Sequence, residues 1–283
     1  MTLSQYTQRI LHSDNGTIKD LTLSLNEFRS SDSILDFVAA DDYLYIGSDK
    51  PFNHRFFDVS IVNEISSDVS VEIWWSNGWT DAIDVLDRTS VSGVSLAQDG
   101  IISWNTDRFK GWDVEQDSTD VVGLENSPLI YNFYWVRFKW SANITPTTAI
   151  NYTGFKFAND SQLYPKYPDL NNTRLLSAFE AGKSDWEEQH FDAAEEIIAD
   201  LVRRGVVWTP SQILIPEIFK EPAIHKAAEI IYGGMGQKFE KNMSIAANRY
   251  KSSMNMKFFK TDKNSNARPE KTETRFSTGY VTR

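Results

Sequence analysis

The sequence predicts a multidomain α+β chain: an antiparallel β-sandwich of jelly-roll-like type, then a helical bundle and an extended tail. Three observations support this prediction. Residues 43–160 contain about seven β-like segments without helical crossovers, the apolar period becomes helical after the proline-bearing segment 164–169, and the residues after Phe259 have few apolar side chains. We therefore predict an N-terminal segment (1–40), a β-sandwich domain (41–168), an adaptor-like helical bundle (169–259) and a C-terminal arm (260–283).

In the N-terminal half, alternation of apolar and polar residues is the main signal. Residues 20–26 alternate and predict an edge strand, and residues 31–38 predict one short helical turn. Residues 69–75 lead into Asn77-Gly78, a pair typical of the positive-φ positions of a type I′ hairpin turn. In the segment 131–140, alternation places Trp135, Arg137 and Lys139 on one face, opposite Val136, Phe138 and Trp140.

In the C-terminal half, the apolar spacing is helical. Residues 173–181 predict a short helix, and Ser184 with Glu187 has the spacing of a capping box before a helix that ends at Arg204. Pro216 suits the first position of a third helix, whose inward face is predicted to hold Ile224, Ala227, Ala228 and Ile231. A last helix is predicted over residues 236–259, with a Met and aromatic stripe as its bundle core: Phe239, Met243, Ala246, Tyr250, Met254 and Phe258.

Composition excludes several classes of site. The chain has no cysteine, so neither disulfides nor thiolate metal sites are possible, and its four scattered histidines argue against a zinc site. We expect a soluble protein made in a reducing compartment, since neither a membrane span nor a signal peptide is recognisable. The formal charge of −10 is uneven: residues 1–170 hold 24 acidic and 12 basic side chains, whereas the residues from Asn255 onward hold 3 and 7.

The sequence contains no motif that predicts an enzyme. The acidic pairs, such as Glu187 and Glu188, are expected on solvated helix faces, and we predict no catalytic, cofactor-binding or metal-binding residues. Seven of the nine tryptophans fall in the predicted β-sandwich. Trp79 and Trp112 are the candidates for exposed aromatics, which would stack on sugar rings beside Asp81 or Asp113. A glycan-binding module of a tail-associated virion protein is therefore an alternative function.

The helical region resembles a known family. The segments FDAAEEIIADLVRRGVV, TPSQILIPEIFKEPAIHKAAEIIYGG and GQKFEKNMSIAANRYKSSMNMKF are similar in order and size to the head-to-tail adaptor (connector or neck) proteins of tailed bacteriophages. The features that carry the resemblance are the run 201–205, the proline-led helix 216–232 and the Arg249-Tyr250-Lys251 triplet. The likeness covers about a third of the chain, and the β-sandwich in front of the bundle departs from simple adaptors.

The resemblance implies a structural virion protein of the neck, assembled in the host cytoplasm. Its partners would be neighbouring copies in a homo-oligomeric ring (commonly a dodecamer), the portal protein and other tail or neck proteins, with no membrane partner. DNA would pass through the channel without sequence-specific binding. An acidic inner surface would favour this passage, because it would repel the phosphates. The arm that docks on the portal would use these residues: Lys260, Lys263, Arg268, Lys271, Arg275, Phe276, Tyr280 and Arg283.

Overall fold

The computed structural model describes residues 8–28, 32–39, 41–107, 109–255, 258–262, 266–268 and 274–276. Two compact units divide the chain. The first comprises Met1–Gly154, Thr209–Leu214 and Asp262–Arg268, and the second comprises Phe155–Trp208, Ile215–Thr261 and Pro269–Arg283. The domain boundaries predicted at residues 40, 168 and 259 remain predictions. In the observed division, the segments Thr209–Leu214 and Asp262–Arg268 belong to the first unit.

The described residues of the first unit form strands, one short α-helix, α1 (Thr22–Asn26), and two 3₁₀ helices (Ser118–Asp120 and Pro210–Gln212). Its strands are β1 (Gln8–Asp14), β2 (Thr17–Asp20), β3 (Ser33–Ile34), β4 (Tyr43–Ser48), β5 (His54–Ile61), β6 (Val69–Trp75), β7 (Gly78–Asp81), β8 (Ile83–Asp87), β9 (Gly100–Asn105), β10 (Tyr134–Trp140) and β11 (Ala149–Gly154). They form a six-stranded sheet in the order β2-β1-β4-β10-β6-β7 and a five-stranded sheet in the order β3-β11-β5-β9-β8. Neighbouring strands are antiparallel throughout both sheets.

Both sheets of the first unit contribute to one buried apolar cluster. Ile46, Val136 and Phe138 enter it from the six-stranded sheet, and Phe57 and Ile102 enter it from the five-stranded sheet. The alternation predicted for residues 131–140 is confirmed, because Val136, Phe138 and Trp140 belong to this central cluster while Trp135, Arg137 and Lys139 do not. The chain is thus of mixed α+β class with two antiparallel sheets.

Two short N-terminal predictions are wrong. Residues 22–26 form α1 instead of an edge strand, and Ser33–Ile34 is a strand instead of a helical turn. The helix begins where the Asp20 carboxylate accepts a hydrogen bond from the Thr22 N–H at 2.9 Å. Leu25 is then buried while Leu23 is 79% exposed. One turn of helix therefore buries Leu25 and leaves Leu23 in solvent, whereas a strand would place both leucines on one face.

The hairpin between β6 and β7 forms as predicted, but its turn residues differ. Trp75 pairs with Gly78, so the two-residue loop is Ser76-Asn77. These two residues have φ values of 53° and 58°. The left-handed positions are therefore filled by Ser and Asn, and Gly78 lies in the strand.

The second unit contains five helices within its described residues: α2 (Asp160–Leu163), α3 (Thr173–Phe179), α4 (Glu187–Arg203), α5 (Lys220–Gly234) and α6 (Glu240–Ser253). Two short strands, β12 (Phe258–Lys260) and β13 (Thr274–Phe276), pair antiparallel. Helix α5 packs against both α4 and α6. Its predicted inward face is confirmed, since Ile224, Ala227, Ala228 and Ile231 are buried.

Helix α4 begins differently from the prediction. Its N-cap is Trp186, which makes no side-chain capping bond, so the capping box of Ser184 and Glu187 is wrong. The Asp185 carboxylate accepts the Glu187 N–H instead, at 3.1 Å. The Trp186 ring is fully buried and donates its Nε1 proton to the Leu170 carbonyl at 3.0 Å, which fixes the start of the helix.

Helix α6 is shorter than the predicted 236–259. It spans Glu240–Ser253, and Phe258 lies in strand β12. Of the predicted bundle-core residues, Ala246, Tyr250 and Met254 are buried, whereas Phe239 and Met243 are half-buried. The Ser253 hydroxyl donates to the Tyr250 carbonyl at 2.8 Å, a local bond that competes with continued helix.

No helix in the described part of the chain is long and apolar enough to cross a membrane.

Candidate functional site

The outer face of the six-stranded sheet carries the most distinctive group of polar and aromatic side chains in the first unit. Strand β10 directs Trp135, Arg137 and Lys139 away from the central cluster, because successive residues of a strand point to opposite faces. Strand β4 lies beside it, with Arg137 opposite Tyr45. On the other side, β6 places Glu72 opposite Arg137. Three strands therefore supply one polar surface.

Part of this outer face is covered by the acidic loop between β9 and β10 (residues 109–133). Its side chains Val121, Leu124 and Ile130 form a second buried cluster with Trp74 and Trp135 of the sheet. The loop is also tied to the sheet by polar bonds, since Trp79 Nε1 donates to the Val122 carbonyl at 2.8 Å. The loop thus buries two tryptophans whose strand positions face away from the main core.

The uncovered part of the outer face forms a groove of about 350 Å³. Four strands contribute to it, and Ser141 follows the end of β10. The groove is lined by Tyr43, Ser70, Glu72, Asp81, Arg137, Lys139, Trp140 and Ser141. Ligand pockets in proteins usually measure roughly 300–1,000 Å³. The groove therefore has room for a small ligand and combines two carboxylates, two cations and three hydroxyls.

Arg137 is held in a single position in this groove. Its Nε lies 2.6 Å from Glu72 Oε2, forming an ion pair whose side chains are 14% and 20% exposed. The guanidinium carbon lies 4.2 Å from the centre of the Tyr43 ring and 4.6 Å from that of Trp79, which are cation–π distances. Burial raises the pKa of Tyr45 to about 12, although Arg137 favours its phenolate. The groove floor is thus preorganised.

The two predicted exposed aromatics behave differently. Trp79 is half-buried beside the groove, where its ring contacts Arg137. Trp112 is only 9% exposed, so its assignment as an exposed aromatic is wrong. Its Nε1 donates to Thr106 Oγ1 at 3.2 Å, and its ring packs against Phe52 in the main core. Sequence analysis missed Tyr43 and Glu72, although the alternation in β10 had already placed Arg137 beside Lys139.

A second cluster of ionisable groups lies in the second unit, where α4 begins. The ligand atoms of Asp160, Glu187 and His190 lie within 4.8 Å of one another, the spacing of a metal site. Glu187 was expected on a solvated helix face, but it is 8% exposed and forms an ion pair with Lys156, which is 1% exposed. The prediction for Glu187 is therefore wrong, because a buried lysine requires its carboxylate.

Proton donors already occupy the oxygens of this cluster. Glu187 accepts from Lys156 Nζ and, at 3.2 Å, from the Asp160 N–H. On Asp160, Oδ1 lies 3.1 Å from His190 Nε2, while Oδ2 accepts from Tyr164 and from the Trp186 N–H. A metal ion would have to displace Lys156, so these residues fit a structural network better than a metal site.

Hydrogen bonding also determines the protonation of Asp160. Burial alone would raise the pKa of its carboxyl group. The hydrogen bonds from His190, Tyr164 and the Trp186 N–H outweigh burial and hold the pKa below its ordinary value. Asp160 is therefore a carboxylate that anchors the start of α4.

The predicted arm residues are distributed over three parts of the chain. Lys260 ends β12, and Arg275 and Phe276 lie in β13. Arg268 ends a segment of the first unit, in which Asp262 and Ala267 are buried. The remaining predicted arm residues, Lys263, Lys271, Tyr280 and Arg283, lie outside the described residues.

The segment from Asp262 to Arg268 is attached to the first unit by reciprocal bonds with Gln212. The Asp262 N–H donates to the Gln212 carbonyl, and Gln212 Nε2 donates to the Asp262 carbonyl, both at 2.9 Å. The Asp262 carboxylate accepts the N–H groups of Asn266 and Ala267 at 3.1 and 2.9 Å. Ala267 belongs to the main apolar cluster. Asp262, Asn266 and Ala267 are therefore packed within the first unit, although the sequence predicts an arm with few apolar side chains.

Comparison of the chain with protein-family models, with curated proteins and with solved structures finds no significant match.

Proposed function

We propose that this chain is a structural virion protein, a head-to-tail adaptor that forms a ring beneath the portal and docks to it through its C-terminal arm. In this proposal the two-sheet unit is a jelly-roll-like β-sandwich added in front of an adaptor-like helical bundle. Its partners are other copies of the chain, the portal, and tail or neck proteins. The protein acts by assembly in the neck of the virion.

The observation that carries the proposal is the packing of the Arg249-Tyr250-Lys251 triplet on α6. Tyr250 is buried, and its hydroxyl donates to Asp200 of α4 at 2.6 Å. Its neighbours Arg249 and Lys251 are exposed. The triplet therefore joins the last helix to the first long helix while presenting two cations at the surface, which fits a bundle that also serves as an interface.

Opposite charges on two helices of the second unit support ring formation. Glu188, Asp192 and Glu196 recur every four residues on α4 and are exposed, so they share one face, on which Glu188 pairs with Lys183 and Glu196 with Lys226 of the same chain. Burial, together with the charges of Glu188 and Glu196, raises the pKa of Asp192. A heterologous interface of a closed ring joins two different surfaces, and an acidic face of one copy would suit a basic face of the next.

Helix α6 supplies the basic face. Lys241, Arg249 and Lys251 are exposed on it.

We expect native mass spectrometry at low ionic strength to detect a closed ring, with the ring fraction falling as salt is added. Asp192→Lys should lower the ring fraction at least about tenfold, since it puts a cation opposite cations. Glu217→Lys, an exposed change outside the acidic row, is the matched control. A chain that stays monomeric under all these conditions contradicts the proposed ring.

Portal docking by the arm is tested separately from ring formation. A chain that ends at Phe276 keeps every described residue and removes Tyr280 and Arg283. With Lys271→Gln and Arg275→Gln added, it should still form rings but lose binding to the portal protein of the same phage. Unchanged portal affinity in this variant refutes arm docking, and the ring measurement shows whether the remainder assembles.

Passage of DNA through the proposed ring would require a channel whose lining does not bind phosphates. Residues 1–170 carry 24 acidic and 12 basic side chains, and such an excess would repel phosphates if it faced the channel. An electron-microscopy map of the ring locates these residues. A channel lined mainly by lysine and arginine would contradict this part of the proposal.

A further inference from the structure

The groove on the six-stranded sheet has a balance of charges that restricts its ligands. Its acidic groups are Glu72 and Asp81, and its basic groups are Arg137 and Lys139. A purely anionic ligand would meet two carboxylates, and a purely cationic one would meet two cations. A ligand with many hydroxyls suits both, because each hydroxyl donates to a carboxylate and accepts from an ammonium or guanidinium group.

Aromatic side chains provide the apolar part of the same groove. Tyr43 lies in its lining and is half-buried. The Lys139 ammonium lies 5.4 Å from the centre of the Tyr43 ring, so the aromatic and charged groups are adjacent. The C–H groups of a sugar ring pack against an aromatic ring while its hydroxyls reach neighbouring polar groups.

The position of Arg137 makes the groove rigid before any ligand arrives. The guanidinium is fixed by Glu72 and by the rings of Tyr43 and Trp79. A side chain that is already ordered loses little conformational entropy on binding. Asp81 and Ser70 are exposed at the groove, where a ligand reaches them without displacing the fixed pair.

We propose that the groove lined by Tyr43, Glu72, Asp81, Arg137 and Lys139 is a binding site for a neutral mono- or disaccharide. The Tyr43 ring provides the aromatic contact beside the Arg137 guanidinium that lies over it, and the four charged groups bind ring hydroxyls. The predicted glycan site beside Trp112 is replaced by this one, because Trp112 is in the core. The site lies within the first unit and does not depend on the proposed ring, so a failure of either proposal leaves the other standing.

The test uses the full chain and defined sugars as probes. Lactose, maltose and N,N′-diacetylchitobiose are titrated against the isotope-labelled protein, with 3′-sialyllactose as an anionic comparison, and amide shifts are recorded by NMR. We expect saturable shifts that cluster on β4, β6, β7 and β10 with at least one neutral sugar. Shifts with none of the neutral sugars, shifts with sialyllactose alone, or shifts elsewhere in the chain overturn the proposal.

Substitutions at the groove then test the named residues. Asp81→Asn and Lys139→Gln each remove one charge without touching the Arg137–Glu72 pair. Each should raise the Kd of the binding sugar about tenfold, the effect of losing one charge-assisted hydrogen bond. Asp41→Asn and Lys110→Gln change exposed residues outside the groove and should leave the Kd within about twofold. Equal Kd values for the groove variants and the controls, at unchanged thermal stability, refute the assignment.

Discussion

The ammonium group of Lys156 forms an ion pair with the carboxylate of Glu187, and the lysine side chain is completely buried. Breaking a buried ion pair by removing one partner costs about 3–5 kcal/mol, because the other charge is left unpaired. We therefore expect Glu187→Gln to lower the free energy of unfolding by about that amount. Urea denaturation followed by circular dichroism measures the change.

The double variant Lys156→Met/Glu187→Gln is the control for this prediction. It removes both charges, so it should lose clearly less stability than the sum of the two single variants. Additive losses would mean that the two side chains are not energetically coupled.

A second prediction concerns acid stability of the first unit. His12 is completely buried, and neither of its ring nitrogens has a hydrogen-bond partner among the residues that the structure describes. Burial lowers its pKa, with an opposing effect of Asp42, a lowering effect of Lys19, and smaller raising effects of Asp14 and Asp36. The unfolded chain thus binds a proton more readily than the folded chain. The contribution of neutral His12 to the free energy of unfolding is therefore present above about pH 6.5 and is lost as the pH falls below that value.

The variant His12→Leu tests this pH dependence. It should reduce the loss of unfolding free energy between about pH 6.5 and pH 5, since one histidine contributes at most about 1.4 kcal/mol per pH unit. Denaturation curves of both proteins at several pH values provide the comparison. Parallel pH profiles of the two proteins would show that His12 is not responsible.

The sequence predicted the buried faces of strand β10 and helix α5 better than it predicted short segments and the end of a helix. Alternation placed Val136 and Phe138 in the core because one face of the strand is buried, and helical spacing identified the inward face of α5. Short windows were ambiguous, since the leucines of residues 21–25 fit either one helical turn or a strand. The predicted stripe continued to Phe258, whereas helix α6 ends at Ser253, whose hydroxyl donates to the Tyr250 carbonyl.

The groove was not predictable as a unit. Tyr43, Glu72, Asp81 and Arg137 come from four strands, and only the order of strands in the sheet brings them together. Alternation determines which face a side chain occupies but not which strand lies next to it. The abundance of tryptophan was a poor guide, because aromatic size favours the core as much as a binding surface, and Trp112 packs inside.

A third prediction concerns the segment Asp262–Arg268. The Asp262 carboxylate accepts the amide N–H groups of Asn266 and Ala267, and all three residues belong to the first unit. Asp262→Ala should leave both donors without this acceptor and weaken the segment by about 1–3 kcal/mol. Hydrogen exchange at the Ala267 amide should become at least about tenfold faster. Asp262→Asn keeps an acceptor oxygen and should give an intermediate rate, whereas equal rates in all three proteins would contradict this role.

The last prediction concerns the close contact between β4 and β10. Gly47 lies opposite Trp135, and a Cβ added at Gly47 would lie 2.8 Å from the Trp135 ring and 2.9 Å from that of Phe133. Trp135 is fully buried and belongs to the cluster beneath the acidic loop, so it has little room to move. We expect Gly47→Ala to destabilise the first unit by about 1–3 kcal/mol, the usual cost of overpacking.

A smaller side chain at position 135 should relieve this clash. Trp135→Leu alone loses packing with the acidic loop and is destabilising. Because the smaller ring-free side chain removes the close contact with position 135 but leaves the one with Phe133, Gly47→Ala should cost less in the Trp135→Leu background than in the natural chain. Thermal or urea unfolding of the four proteins gives the coupling energy. A cost of Gly47→Ala that is the same in both backgrounds would show that the Trp135 ring is not what requires glycine at this position.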